Sequence, residues 1–169
     1  MKHFYLIGGT MGVGKTTVCQ ILKRRLPSCV FLDGDWCWDM DPFQVTGETK
    51  EMVMENICFL LNSFLRCSAY ENIVFCWVMH EQEIIGRILG ALDLSDCQVE
   101  AVSLVCSPGE LERRLRRDVA AGIRKEDVVQ RSKARLPLYE TLETRKIDVT
   151  HKTPEEAADL VVKYFTENL

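Results

Sequence analysis

Gly9-Thr10-Met11-Gly12-Val13-Gly14-Lys15-Thr16 is a complete phosphate-binding loop, and its flanks decide the fold. The apolar run Phe4-Tyr5-Leu6-Ile7 before it reads as a buried strand. Thr17 to Leu26 after it reads as a helix. Glycines let backbone N–H groups wrap a polyphosphate, and the helix N-terminus adds partial positive charge. Lys15 has the reach for the β- and γ-phosphates, and the Thr16 hydroxyl suits Mg²⁺. Gly9 to Thr17 are therefore the expected nucleotide-binding residues, with Lys15 also catalytic and Thr16 also a metal ligand.

Outward from this loop, strand and helix patterns alternate. Val30-Phe31-Leu32 is the second predicted strand, and Glu48 to Cys67 has helical spacing. Ile73 to Met79 is a continuous apolar run, as in a strand buried on both faces. Glu83 to Leu92 reads as helix and Val99 to Val105 as the fourth strand. Ser107-Pro108-Gly109-Glu110 opens the next helix, with Ser as N-cap and Pro at the first helical position. A basic loop leads to a helix expected over 127–143, which Pro137 kinks or splits. Lys146 to Val149 is the fifth strand, and Thr153-Pro154-Glu155-Glu156 starts the last helix. This order predicts an α/β fold whose parallel sheet is covered on both faces, with ligands at the carboxyl ends of the strands. The loop, Asp33, Asp35, His80 and Ser107 all follow strands and belong to that edge.

The 169 residues suit one domain, 1–169, with no linker or repeat. Apolar residues make up 47% of the chain, enough for a sizeable core. A net charge of −4 disfavours a nucleic-acid partner. No apolar run reaches membrane-spanning length, and the start Met1-Lys2-His3 precedes too few apolar residues for a secretion signal. The eight cysteines contain no Cys-x-x-Cys pair and lie scattered in apolar segments, such as Cys19, Cys58 and Cys76. They read as buried hydrophobes in a reducing cytoplasm rather than as a metal site or disulfide frame. Cys37 stands out because it adjoins the expected substrate site.

Phe31-Leu32-Asp33-Gly34-Asp35 carries the second piece of chemistry. Two carboxylates beside a phosphate loop suit phosphoryl transfer, one orienting Mg²⁺ through its waters and one accepting a hydroxyl proton. Trp36 and Trp38 are expected to wall an acceptor pocket, and His80 to touch the acceptor. Arg113, Arg114, Arg116 and Arg117 crowd one helix, followed by Arg124, Arg131 and Arg135. Arg113 and Arg117 share a face at i, i+4, and a planar guanidinium there suits adenine or phosphate.

The phosphate loop, the Asp-x-Asp, the arginine-rich segment and the Thr-led last helix together resemble the small P-loop kinases over the whole chain. That family includes the shikimate, gluconate, adenylate and antibiotic kinases. The resemblance implies a three-layer fold with strand order 2-3-1-4-5 and a small lid over about 120–128. It implies ATP and Mg²⁺ as donor and cofactor, Asp33 near the metal and Asp35 as base or substrate anchor. By similarity to adenylate kinase lids, Arg124 and Arg135 grip the transferring phosphate. The loop Val149 to Thr153 packs against adenine, where His151 contributes.

Absences narrow the acceptor. No arginine occurs between Arg25 and Arg66, where nucleoside monophosphate kinases place their phosphate clamp. The third strand ends Trp77-Val78-Met79-His80, without an acidic metal residue. An ATP-dependent kinase acting on a small-molecule hydroxyl is the expected function, in a monomer or homodimer. A nucleotide switch without acceptor is one alternative. A nucleoside monophosphate kinase clamping its acceptor through Arg66, Arg87 or Lys50 is another.

Overall fold

The structure, a computed structural model, describes residues 1–166. The last three positions of the expected domain, 167–169, lie outside the described residues. The strands β1 (Lys2–Gly8), β2 (Cys29–Asp33), β3 (Asn72–Trp77), β4 (Cys97–Val105) and β5 (Arg145–Asp148) form one parallel sheet. Their order, β2-β3-β1-β4-β5, is the expected one. The helices are α1 (Lys15–Arg25), α2 (Gly47–Arg66), α3 (Gln82–Ala91), α4 (Pro108–Ala120), α5 (Asp127–Arg135) and α6 (Pro154–Thr166).

The central strand shows why both faces need cover. Tyr5 of β1 lies in register with Val74 of β3 and Glu100 of β4. Side chains along a strand alternate between faces. Phe4 and Leu6 enter a core with α2 and α3, whereas Tyr5 and Ile7 enter a second core with α1, α4 and α6. Phe4, Leu6 and Ile7 are fully buried. Each such residue contributes about 1.5–3 kcal/mol.

Local signals end the helices as physics requires. Ser107 Oγ accepts from Glu110 N–H at 3.3 Å at the start of α4. Beyond its end, Gly122 adopts φ 72°. Ile123 N–H then reaches Asp118 O at 2.9 Å and Gly122 N–H reaches Val119 O at 3.0 Å. This paired pattern needs a left-handed residue, which glycine adopts at little cost. At α6, Thr153 and Glu156 cap each other reciprocally.

Three stretches differ from the sequence expectation. The helix expected over 127–143 ends at Arg135, and a 3₁₀ turn spans Leu136–Thr141. Pro137 lies in the first turn of that segment, because proline lacks an N–H and clashes with a carbonyl one turn back. β3 stops at Trp77 rather than Met79, since Met79 takes φ 40° and turns the chain. A 3₁₀ turn over Gly34–Trp38 was not foreseen, and Asp33 caps it by accepting Asp35 N–H at 3.0 Å. All eight cysteines are free thiols.

Candidate active site

The phosphate loop springs from the end of β1. Gly9, Gly12 and Gly14 have φ of 155°, 82° and 103°. A Cβ on Gly9 would lie 2.7 Å from Val13 Cγ1 and 2.9 Å from Leu104 O, so only glycine fits there. α1 starts at Gly14 without a side-chain cap and without an acidic residue in its first turn. Its leading N–H groups are therefore left for an anion. Lys15 Nζ donates to Thr10 O at 2.9 Å. Burial pushes the Lys15 ammonium below its ordinary pKa, while Cys76, Asp35 and Asp33 hold it up. Thr10 Oγ1 is buried with no protein partner, an atom free to meet a ligand.

Asp33 ties the loop to its neighbour strand. Thr16 Oγ1 donates to Asp33 Oδ2 at 2.6 Å, while Asp33 Oδ1 holds the Asp35 amide. One hydroxyl and one buried carboxylate beside a phosphate cradle fit Mg²⁺, which keeps several waters and phosphate oxygens of its own. Among the described residues no group of three His, Cys, Asp or Glu side chains forms an all-protein metal cage. Asp35 follows on the cavity side. Loss of water raises its pKa, and so does Asp33. Lys15, a hydrogen bond from the Trp77 side chain, and Arg124 pull the other way. The Trp77 ring lies beside this turn, and Gly34 makes room for it. A Cβ on Gly34 would lie 2.6 Å from Trp77 Cγ.

Val78 joins three elements. Its carbonyl accepts Gly9 N–H at 3.3 Å and also the hydroxyl of Tyr139. Tyr139 is fully buried in the 3₁₀ turn after α5, and burial pushes its phenol up. The next residues, Met79 and His80, line the cavity. His80 Nε2 lies 3.3 Å from Glu81 Oε1, and its Nδ1 is buried without a partner. Burial and then Arg135 lower the His80 pKa, against Glu81, so the ring is neutral at pH 7.

The arginines divide. Arg113 and Arg117 are exposed, with side chains 62% and 70% accessible. Arg113 bonds Glu110, and Arg117 comes to 4.0 Å of Asp118, so the structure does not bring this i, i+4 pair to the loop. Arg114 turns inward instead. It donates to Val13 O at 3.1 Å and Val149 O at 3.0 Å, and Glu110 pins its Nε at 2.7 Å. It ties the phosphate loop to the loop after β5, where His151 is exposed. Arg124 lies between α4 and α5, bonds Asp118 at 3.2 Å and acts on Asp35. Arg131 donates to Asp127, and its Nη2 stands 3.9 Å from Met11 Sδ.

A cavity of about 920 Å³ opens beside Asp35. Asp35, Trp36, Trp38 and His80 all line it, and so does Arg135. Arg131, Lys50 and Arg87 line it too, whereas Arg66 does not. Arg87 is held bidentately by Glu51 at 2.7 and 3.1 Å. Cys37 packs against the α2 core rather than lining the cavity, and burial pushes its thiol up. No helix among the described residues is long and apolar enough to cross a membrane.

The family model described as an AAA domain matches residues 6–136. The chain belongs to the AAA domain family. That match runs from β1 through the phosphate loop to the end of α5. No curated protein matches the AAA domain chain in sequence. Among solved structures it is similar to a tunicamycin resistance protein of Deinococcus radiodurans, with 20% identity and a TM-score of 0.72 over 98% of this chain and 96% of that one. A gluconokinase from Sinorhizobium meliloti 1021 gives 18% identity and a TM-score of 0.69, covering 98% and 94%. A shikimate kinase from Aquifex aeolicus gives 17% and 0.62, covering 98% and 97%. This AAA domain protein therefore shares the fold of the small P-loop kinases across nearly its whole length.

Proposed function

We propose that the protein is an ATP-dependent kinase that phosphorylates a hydroxyl of a small molecule. The observation that carries this reading is the position of Asp35, which lines the cavity while Lys15 and Asp33 of the nucleotide side act on its charge. A nucleotide switch needs no carboxylate at that junction. The fold shared with gluconokinase and shikimate kinase supports the same class.

In this reading the residues Gly9 to Thr17 cradle the triphosphate, and Lys15 reaches its β- and γ-oxygens. Thr16 and Asp33 would hold Mg²⁺, which would supply charge neutralisation at the phosphates. The acceptor oxygen attacks the γ-phosphorus, the bond from that phosphorus to the β–γ bridging oxygen breaks, and Asp35 takes the hydroxyl proton. Arg124 and Arg135 neutralise charge on the travelling group. Arg114 holds the two nucleotide-side loops together, so it serves as a positioning residue. Arg113, Arg117 and His151 stand at the periphery, open to the adenine end. The eight free thiols favour a reducing compartment, the cytoplasm.

The test is ADP release with Mg-ATP against pooled nucleosides, nucleoside monophosphates, sugars, cyclitols and aryl alcohols. Stimulation by one hydroxyl pool, abolished by chelation and by Lys15→Ala, is expected. An active Lys15→Ala protein, or ATP binding without release by any pool, would overturn the reading. Release driven by monophosphates alone would favour the clamp through Lys50 or Arg87.

A further inference from the structure

We infer that the acceptor is an aryl alcohol, a hydroxyl-bearing molecule with an aromatic body, rather than a free sugar or polyol. This rests on the phosphoryl-transfer reading and names the substrate class of the same cavity.

The chain has three tryptophans, and all three, Trp36, Trp38 and Trp77, line the cavity together with Phe43. Two of them are braced by a second ring. Trp36 meets Phe31 edge-on at 5.2 Å between centroids, and Trp38 meets Phe43 at 5.7 Å. Braced rings present flat apolar faces with little conformational freedom left to lose on binding.

The rim is apolar as well. Trp36, Phe43 and Val45 are 52%, 66% and 54% exposed, yet all line this one cavity. Large apolar side chains gathered in the open mark a binding surface, whereas single scattered ones do not.

The polar lining is mostly charged. No Ser, Thr, Asn or Gln lines the cavity; its polar side chains are His80 and charged groups, among them Asp39, Lys50, Glu81, Glu83 and Arg135. Two of its arginines are already committed, Arg87 to Glu51 and Arg131 to Asp127. An aryl alcohol asks only for its reacting hydroxyl to meet Asp35. The volume of about 920 Å³ lies at the upper end for a drug-sized ligand, and so has room for an aromatic body.

The experiment compares matched alcohols on the intact protein: methyl against phenyl β-D-glucoside, and propane-1,2-diol against 3-phenylpropane-1,2-diol. Binding is read by calorimetry and by tryptophan emission, which reports this cavity because every tryptophan lines it. Transfer is read separately as ADP release. The phenyl member of each pair is expected to bind at least about tenfold tighter, from the apolar area it buries. Trp36→Ala and Phe43→Ala should each remove much of that gain while leaving Mg-ADP affinity unchanged. Both side chains are exposed, so folding is not at stake.

Equal binding of the paired alcohols, or ADP release driven by free sugars with no gain from an aryl group, would overturn the inference and leave the kinase reading intact. Tight aryl binding with no ADP release from any binder would overturn the transfer reading, and with it the acceptor role.

Discussion

Gly12 lies so close to Leu115 of α4 that a Cβ on it would sit 2.6 Å from Leu115 Cδ2. The phosphate loop is therefore shaped by a helix that starts almost a hundred residues later. Leu115 is fully buried and has nowhere to retreat. Gly12 also has φ 82°, a conformation that side chains resist. Gly12→Ala should lower folding stability by about 1–3 kcal/mol through overpacking. It should weaken nucleotide binding as well, because the loop must shift to relieve the contact. Denaturant unfolding and ADP titration check this, and a variant matching the parent in both would refute it.

Asp35→Asn should cut turnover by about 10²–10⁴-fold, the usual worth of a positioned acid–base group, while nucleotide affinity stays close to that of the parent. A large loss of nucleotide affinity instead would assign Asp35 to the metal. The raised Asp35 pKa also has a sign for stability. The folded protein holds this proton more tightly than the unfolded chain, so the charged carboxylate subtracts stability once pH rises above the folded value. Asp35→Asn should therefore raise the melting temperature at pH 7. The acidic limb of kcat/KM should fall above the ordinary aspartate range.

Arg114→Ala should cost about 1–3 kcal/mol, since the carbonyls of Val13 and Val149 lose a charged donor. It should also weaken nucleotide binding more than Arg113→Ala, whose side chain bonds only Glu110. Equal effects of the two variants would argue against the bridge.

Acid should loosen the same bridge. Hydrogen bonds from Arg113 and then Arg114 pull the Glu110 pKa from 4.5 down to about 2. A depressed carboxylate adds stability that is fully present above 4.5 and lost as pH falls through about 2. Partial exposure moderates the size of the effect. Comparison of Glu110→Gln with the parent between these limits should show a stability gap that closes toward pH 2. A gap that stays constant with pH would contradict the assignment.

Tyr139→Phe should cost only about 0.5–1.5 kcal/mol, because Val78 O keeps its bond from Gly9. In the proposed kinase its functional effect should fall on acceptor KM more than on ADP affinity, since Val78, Met79 and His80 line the cavity beside Asp35. A change confined to nucleotide affinity would show that the hydroxyl serves the loop alone.

The parts legible in the sequence were those coded by adjacent residues. The glycine pattern, the alternating strands and the caps at Ser107 and Thr153 each occupy a few consecutive positions, and the structure bears them out. Asp35, Trp36, Trp38, His80 and Arg135 were legible because each follows a strand or lid signal, and all line one cavity. What stayed hidden depends on contacts between distant segments. Trp77 read as one more apolar residue of a buried strand, although its ring packs on Gly34 and lines the cavity with Asp35. Tyr139 carries no local mark of its bond to Val78. Among four crowded arginines, spacing could not tell which faces inward. That depends on how α4 rotates against the loop, and the choice of Arg114 over Arg113 or Arg117 appears only with tertiary packing.

The Val78 carbonyl is a shared mooring. One atom moors both the donor loop, through Gly9, and the segment returning from the arginine-bearing stretch, through Tyr139. A change that moved this carbonyl would reach both segments, whereas loss of the Tyr139 hydroxyl alone leaves the Gly9 bond in place. Residues 39–46 belong to no strand or helix, yet Asp39, Phe43 and Val45 among them line the cavity. Substitutions in that stretch can reshape the cavity wall without breaking a strand, a helix or the phosphate loop.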